Sequence, residues 1–481
     1  MVTVITKPAT TFHEYALLPG YTPANCSIPT VSLETRLAQN IVLGIPFLSA
    51  AMTSVTGYDM VLALGKEGGM GVLPARLSID TQADIVRRAK NYQMHFVDRP
   101  TKINANESIE AAVKLVERHG HSKIPVVDDT NVYKGMFVLQ EYWKMNVRPE
   151  DAVTSAMIPL GDERILYVKN PELSVAEVKK LFAADSQRYI VVVDKDDRLV
   201  KLAFKKDIEN INVGAAISTH EGWQERVDAN IHAGVDLIVV DTSDAHSEHV
   251  DRVLTAYVKN KYHVPICVGN VVTYEAAKHL MELGADIVKF GMSSGSICTT
   301  QREKAVGRSP MTAVLETARA RDTYHHESSR YVPIIMDGGI ATAADMIIAL
   351  TCADALMMGG YFNHFYEAAG EKRDERGAIT RDEHEMLTVD TWGEGSERAQ
   401  NLGRYGHATL KTFFPEGIDG TVPYNGRLKP NVKRDLLKIK AALVNVGSMN
   451  LVEFRNAAVI ELMSLASEEV VSRPHHVATN P

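Results

Sequence analysis

The sequence predicts an α/β fold: a (β/α)8 TIM barrel, interrupted by an inserted tandem module and carrying a long mobile lid loop. Three observations support it. Short apolar runs alternate with helical patterns before residue 99 and again from about residue 211. Every such run ends in Asp, Asn, Ser or Gly, which in a barrel would place polar groups around one mouth. Between 99 and 210 the alternation stops, and the intervening segment repeats itself.

The runs follow in order. Residues 45–52 read as a strand ending in small residues, 58–66 as a helix closed by Gly68-Gly69, and 71–73 as a second strand. Strand, helix, strand at that spacing is a βαβ unit with parallel strands. Further strands are expected near 213–215 and over 237–241, 264–270, 285–291, 332–339 and 355–360. That makes eight, the number that closes a β/α barrel, with a doubly wound open sheet as the alternative.

The interruption has its own logic. Ser108-Ile109 begins a helical pattern running into Lys123–Asp128, and sixty-six positions later Ser174-Val175 begins another running into Tyr189–Asp194. Ala112, Leu115, Val126, Val127 and Asp128 match Val178, Leu181, Val192, Val193 and Asp194 at the same offset. The expected domains are therefore a barrel from 1–98 and 211–481, and a paired insert over 99–150 and 151–210. Surface loops tolerate such insertions. A second long stretch, about 363–430, is polar and contains Trp392-Gly-Glu-Gly-Ser, Gly403-Arg-Tyr-Gly and Pro415-Glu-Gly-Ile-Asp-Gly. Dense glycine with charged and aromatic residues favours a lid.

Composition narrows the function. The 481 residues are 45% hydrophobic and 23% charged, as in an ordinary globular protein. A net charge of -8 leaves no electrostatic footprint for nucleic acid or an anionic membrane. No apolar run reaches membrane-spanning length, and residues 1–8 lack a signal peptide's core. The four cysteines have no CxxC spacing, so neither a zinc knuckle nor a disulfide framework is indicated. A reducing, cytoplasmic setting is expected.

The chemistry concentrates after the run 285–290. Gly291 and Gly295 permit close ligand approach, Ser293, Ser294 and Ser296 add hydroxyl donors, and Cys298 stands near the far end. Such a loop suits a phosphate or a metal ion, and the cysteine a nucleophile. The plainer reading is a strand-to-helix turn with a half-buried thiol.

Gly291-Met-Ser-Ser-Gly-Ser-Ile-Cys-Thr-Thr, Met336-Asp-Gly-Gly-Ile, Met357-Met-Gly-Gly and Arg404-Tyr405 together resemble the inosine-5'-monophosphate (IMP) dehydrogenase / GMP reductase family, from residue 11 to about 477. The repeated insert resembles a tandem pair of CBS domains. The resemblance implies oxidation of IMP to XMP with NAD+. Cys298 would attack C2 of the hypoxanthine, and Arg404, Tyr405 and Thr300 would activate the hydrolytic water. Arginine is an unusual base, since its pKa exceeds about 12.

The same resemblance assigns the IMP site. Ser296, Gly338, Gly339, Gly359 and Gly360 would hold the phosphate, and Asp337 the ribose. Glu394, Gly395 and Glu416 would read the purine edge, with Met52 and Met357 as further substrate contacts. Asp241, Thr242, Ser243, Asn270 and Gly291 would face the cofactor. A K+ ion would sit on backbone carbonyls of Ser293, Gly295 and Cys298, and a homotetramer is implied. The chain departs from the family where relatives have Glu-Gly-Gly, reading Val470-Val-Ser-Arg-Pro-His-His, and at Ser293, where relatives commonly have Gly. The ribose-holding hydroxyl of CBS pairs, three residues before an acid, is also absent: Phe204 precedes Asp207, and Leu139 stands two before Glu141. GMP reductase and a non-catalytic CBS-type nucleotide-binding regulator are the competing readings. The Arg404-Tyr405 pair favours the dehydrogenase.

Overall fold

Eight parallel strands close on themselves: β1 (Phe47–Ser49), β2 (Met70–Leu73), β3 (Val213–Ile217), β4 (Leu237–Asp241), β5 (Ile266–Val271), β6 (Ile287–Phe290), β7 (Ile334–Asp337) and β8 (Ala355–Met358). Each pairs with the next, and Leu356, Met357 and Met358 of β8 return to Phe47, Leu48 and Ser49 of β1. Closure excludes the open doubly wound sheet. The computed structural model describes residues 2–92, 96–98, 100–119, 123–184, 189–204, 211–292, 297, 299–401, 415–464 and 466–467.

The strands are buried almost throughout, which is why they read as continuous apolar runs rather than alternating ones. Their inward side chains form one cluster that includes Leu48, Met70, Val72, Val239, Ile287 and Ile335. A hairpin of Thr35–Ala38 and Ile41–Leu43 adds Leu37, Ile41 and Leu43 to this cluster.

The helices that follow the strands are α1 (Tyr58–Lys66), α2 (Ile79–Lys90), α3 (Trp223–Ala233), α4 (Glu248–Lys259), α5 (Tyr274–Glu282), α6 (Pro310–Ser328) and α7 (Ala343–Leu350). In α4 the buried residues are Val250, Val253, Leu254 and Tyr257, one face at helical spacing. α7 opens with a capping box, Thr342 accepting from Asp345 N while Asp345 accepts from Thr342 N. No described helix is long and apolar enough to cross a membrane.

Two compact units emerge: residues 1–91 with 211–481, and 92–210. Within the second, helices Ile109–His119 and Val175–Ala184 keep the 66-residue offset. So do strands Lys123–Val127 and Tyr189–Val193, and Tyr133–Val138 and Leu199–Phe204. The paired acids explain the repeat locally. Asp128 accepts from Val132 N and Asp194 from Arg198 N, holding turns in which Asn131 and Asp197 take positive φ. Each sheet gains one outside strand: Met157–Pro159 pairs with Tyr133–Val138, and Val97–Asp98 with Leu199–Phe204. That second pairing carries the unit's start ahead of residue 99.

The stretch 363–430 is not one loop. Lys372–Arg373, Thr388–Trp392 and Asp419–Pro423 form an antiparallel sheet, and α8 (Leu428–Val446) begins at its end. Asp390 is buried in this sheet and takes two hydrogen bonds from Arg373 (2.6 and 2.8 Å). Thr388–Trp392 is buried along most of its length yet mixes polar with apolar residues, so the polar average of the stretch hides it.

Candidate active site

At the C-terminal ends of the strands lies a cavity of about 850 Å³. Asp241, Thr242 and Ser243 follow β4, Asn270 belongs to β5, and Gly291 follows β6. Asp337, Gly338 and Gly339 come from β7, and Gly359 and Gly360 from the loop after β8. Met52, Thr300, Glu394, Gly395 and Glu416 complete that part of the wall. Residues proposed from eight separate stretches of sequence thus share one chamber.

Behind the wall at Asp241, Asn270 and Asp337 lies an ion cluster. Lys289, in β6, is fully buried, and its ammonium donates to Asp241 Oδ1 (2.8 Å), to Asp337 Oδ2 (2.5 Å) and to Asn270 Oδ1. Asn270 Nδ2 in turn donates to Gly291 O (2.6 Å) and Asp337 Oδ2 (3.1 Å). Burial opposes charge on Lys289, but the two carboxylates outweigh it, and the ammonium's pKa is raised. A lone buried ammonium would cost several kcal/mol; three oxygen acceptors offset that cost. Asp337 is therefore no helix cap, a role that Thr342 fills for α7.

The turns after β7 and β8 need glycine. Gly338 and Gly339 take φ of 79° and 72°, and a Cβ on Gly359 would stand 2.7 Å from Met52 Sδ. Gly338 N donates to Met357 O (3.1 Å), extending the ladder between these strands. The amides of Gly339, Gly359 and Gly360 have no backbone acceptor among the described residues. Ala341, Thr342 and Ala343, at the start of α7, line the same end of the cavity. Loops after the last two strands are where barrels bind phosphate, and a helix N-terminus adds favourable polarity.

The opposite wall joins two distant segments. Thr300 Oγ1 donates to Glu416 Oε2 (3.0 Å), and Lys304 Nζ lies 2.5 Å from Glu416 Oε1. Thr299 N donates to Glu416 O and Ile418 N to Ile297 O, so the backbone on both sides of position 298 is stitched to 416–418.

The family described as the IMP dehydrogenase / GMP reductase domain matches residues 9–475. The chain belongs to the IMP dehydrogenase / GMP reductase family. It is 32% identical to an inosine-5'-monophosphate dehydrogenase from Tritrichomonas foetus, over 96% of this chain and 95% of that protein. It is 30% identical to the Escherichia coli protein of the same name, over 94% and 93%. Among solved structures, a GMP reductase variant from Trypanosoma brucei in complex with guanosine 5'-monophosphate superposes with a TM-score of 0.68. That chain is 24% identical, with 98% of each chain covered, and the likeness establishes the shared fold.

Against this family's pattern, some expected residues stand elsewhere. Met357 is 1% exposed and packs in the barrel's interior cluster. It lies on β8, where every side chain is buried. Glu394 lines the cavity, but its carboxylate is occupied: Oε1 accepts from Thr53 N and Oγ1 (2.7 Å each), and Oε2 pairs with Arg76 Nε (2.7 Å). Cys298, Arg404, Tyr405, Ser293, Gly295, Ser296 and the C-terminal stretch 468–481 lie outside the described residues. The three described cysteines are unsuited to nucleophilic work. Burial raises the thiol pKa of Cys26 and Cys352 and pushes Cys267 up to about 12.

Two residues that hold this site together escaped the sequence reading. Lys289 left a signal, a cation inside an otherwise apolar strand. Arg76, after β2, left none. It is nearly buried and donates to the carbonyls of Ala399 and Glu394 besides its ion pair with Glu394. It thereby ties the segment 394–399 to the barrel. Arg76→Ala is expected to lower unfolding free energy by about 3–5 kcal/mol, because Glu394 is left without its cation in a mostly buried place. Unchanged denaturant melting together with unchanged proteolysis at 393–401 would rule that anchor out.

Proposed function

We propose that this chain is an IMP dehydrogenase, oxidising IMP to XMP with NAD+ as hydride acceptor, the first committed step of guanine nucleotide synthesis. One observation carries the reading. The residues this reaction calls for at both sugars and at the phosphate line a single barrel-mouth cavity, in a chain similar end to end to proteins of that name.

Asp337 would take the ribose hydroxyls of IMP, and the amides of Gly339, Gly359 and Gly360, with Ser296, the phosphate. Glu416 and Gly395 would face the purine edge, with Glu394 holding their turn in place. Asp241 stands at the end of β4 with a third of its side chain exposed, and it suits the second ribose, that of the nicotinamide nucleotide. Thr242, Ser243, Asn270 and Gly291 adjoin it. Bound there, NAD+ supplies the hydride acceptor. Cys298 as thiolate forms a bond to C2; loss of hydride from C2 leaves a thioimidate on sulfur. Water, deprotonated with Arg404, Tyr405 and Thr300, then adds to C2, and the C–S bond breaks to release XMP. A K+ ion on carbonyls of Ser293, Gly295 and Cys298, a homotetramer and a cytoplasmic location belong to the same proposal. So does a CBS identity for 92–210, which the matched helices, strands and turns support.

Purified protein with IMP, NAD+ and K+ is expected to produce NADH absorbance at 340 nm (a general property of the nicotinamide chromophore). Turnover only with GMP and NADPH would make the chain a GMP reductase. Nucleotide binding without either turnover would make it a regulator.

A further inference from the structure

Asp241 and Asp337 both line the cavity, and the group that organises this pair lies behind the wall. Lys289 does not reach the cavity and is fully buried. Its three N–H bonds go to three different strands: Asp241 on β4, Asn270 on β5 and Asp337 on β7. These flank or adjoin β6 in the barrel, so one ammonium is hydrogen-bonded across four consecutive strands. The surrounding backbone is built around it. A Cβ on Gly269 would meet Lys289 O at 2.3 Å and Lys289 Cβ at 2.7 Å, and the β5–β6 register shifts between Val268 and Val271. Only glycine leaves space for the lysine stem there, and the irregularity turns Asn270 toward the ammonium.

We infer that Lys289 is a positioning residue that couples the two sugar subsites, holding Asp337 for the substrate ribose and Asp241 for the cofactor ribose on one shared cation. The inference rests on the functional reading above, which assigns those two carboxylates their ligands. Without the cation, two carboxylates that now approach the same nitrogen repel each other and separate, and both sugars lose their acceptor together. A residue acting on one subsite alone predicts no such joint loss.

The test is Lys289→Met, which keeps the length of the stem and removes the charge. Affinity for IMP, measured by calorimetry, and KM for NAD+ are both expected to weaken, each by roughly tenfold or more, as for loss of a buried charge partner. Adding Asp241→Asn removes the repelling charge. In Lys289→Met/Asp241→Asn, IMP affinity should return to within about threefold of Asp241→Asn alone while NAD+ stays weak, since one carboxylate no longer faces another. A purely architectural lysine would show no such rescue. Wild-type affinities in folded Lys289→Met, absence of rescue, or loss of the fold in both variants would each overturn the coupling role. Wild-type protein that binds neither IMP nor GMP would sink the functional reading, and the lysine's role with it; wild-type binding with an unaffected Lys289→Met would sink the lysine's role alone.

Discussion

Cys298→Ala is expected to lower NADH production by at least about 10⁴-fold while leaving IMP binding within a few-fold of wild type. The asymmetry follows from the site's construction. The groups proposed to hold the nucleotide, Asp337 and the glycine turns after β7 and β8, are fixed by the barrel and by Lys289, independently of the thiol. The chemical step has no such redundancy. The other three cysteines are held as thiols by burial, so none can substitute as nucleophile. Stopped-flow absorbance and IMP calorimetry on the same preparation separate the two effects. A residual NADH burst in the variant would show that no covalent bond to this cysteine is required.

Arg404→Ala is the second large effect, and it should split the reaction in time. Hydride transfer needs the nucleophile and the two bound nucleotides; hydrolysis needs a base for water. The variant should therefore keep a full single-turnover burst of NADH and lose about 10²–10⁴-fold in the steady state, the usual contribution of a general base. A missing burst would place Arg404 in substrate binding instead.

Much of the barrel was legible because parallel strands buried on both faces must be apolar and must end where the chain meets solvent. Leu237–Asp241 shows this well: four apolar residues and a terminal acid coincide with β4. Tyr58–Lys66 coincides with α1 for the related reason that a surface helix carries its apolar face at fixed spacing. The strands within 363–430 were not legible because sheet pairing between Thr388–Trp392 and Asp419–Pro423 is non-local. Polar strands in a small sheet carry no strong period of their own. The packing of Met357 was not legible for a simpler reason: a methionine beside a glycine turn looks the same in sequence whether it faces the barrel interior or its mouth.

The sequence by itself determined the strand count, the repeat, the polar strand ends and the residue types able to do this chemistry. These are local consequences of burial, period and side-chain reactivity. Tertiary structure alone decided that the apolar runs close into a barrel, that Glu394 turns to Arg76 and Thr53, and that Lys289 stands beneath two carboxylates forty-eight positions away on either side. Charge pairing in a buried place depends on distance through space, and only the closed sheet brings those three positions to one nitrogen.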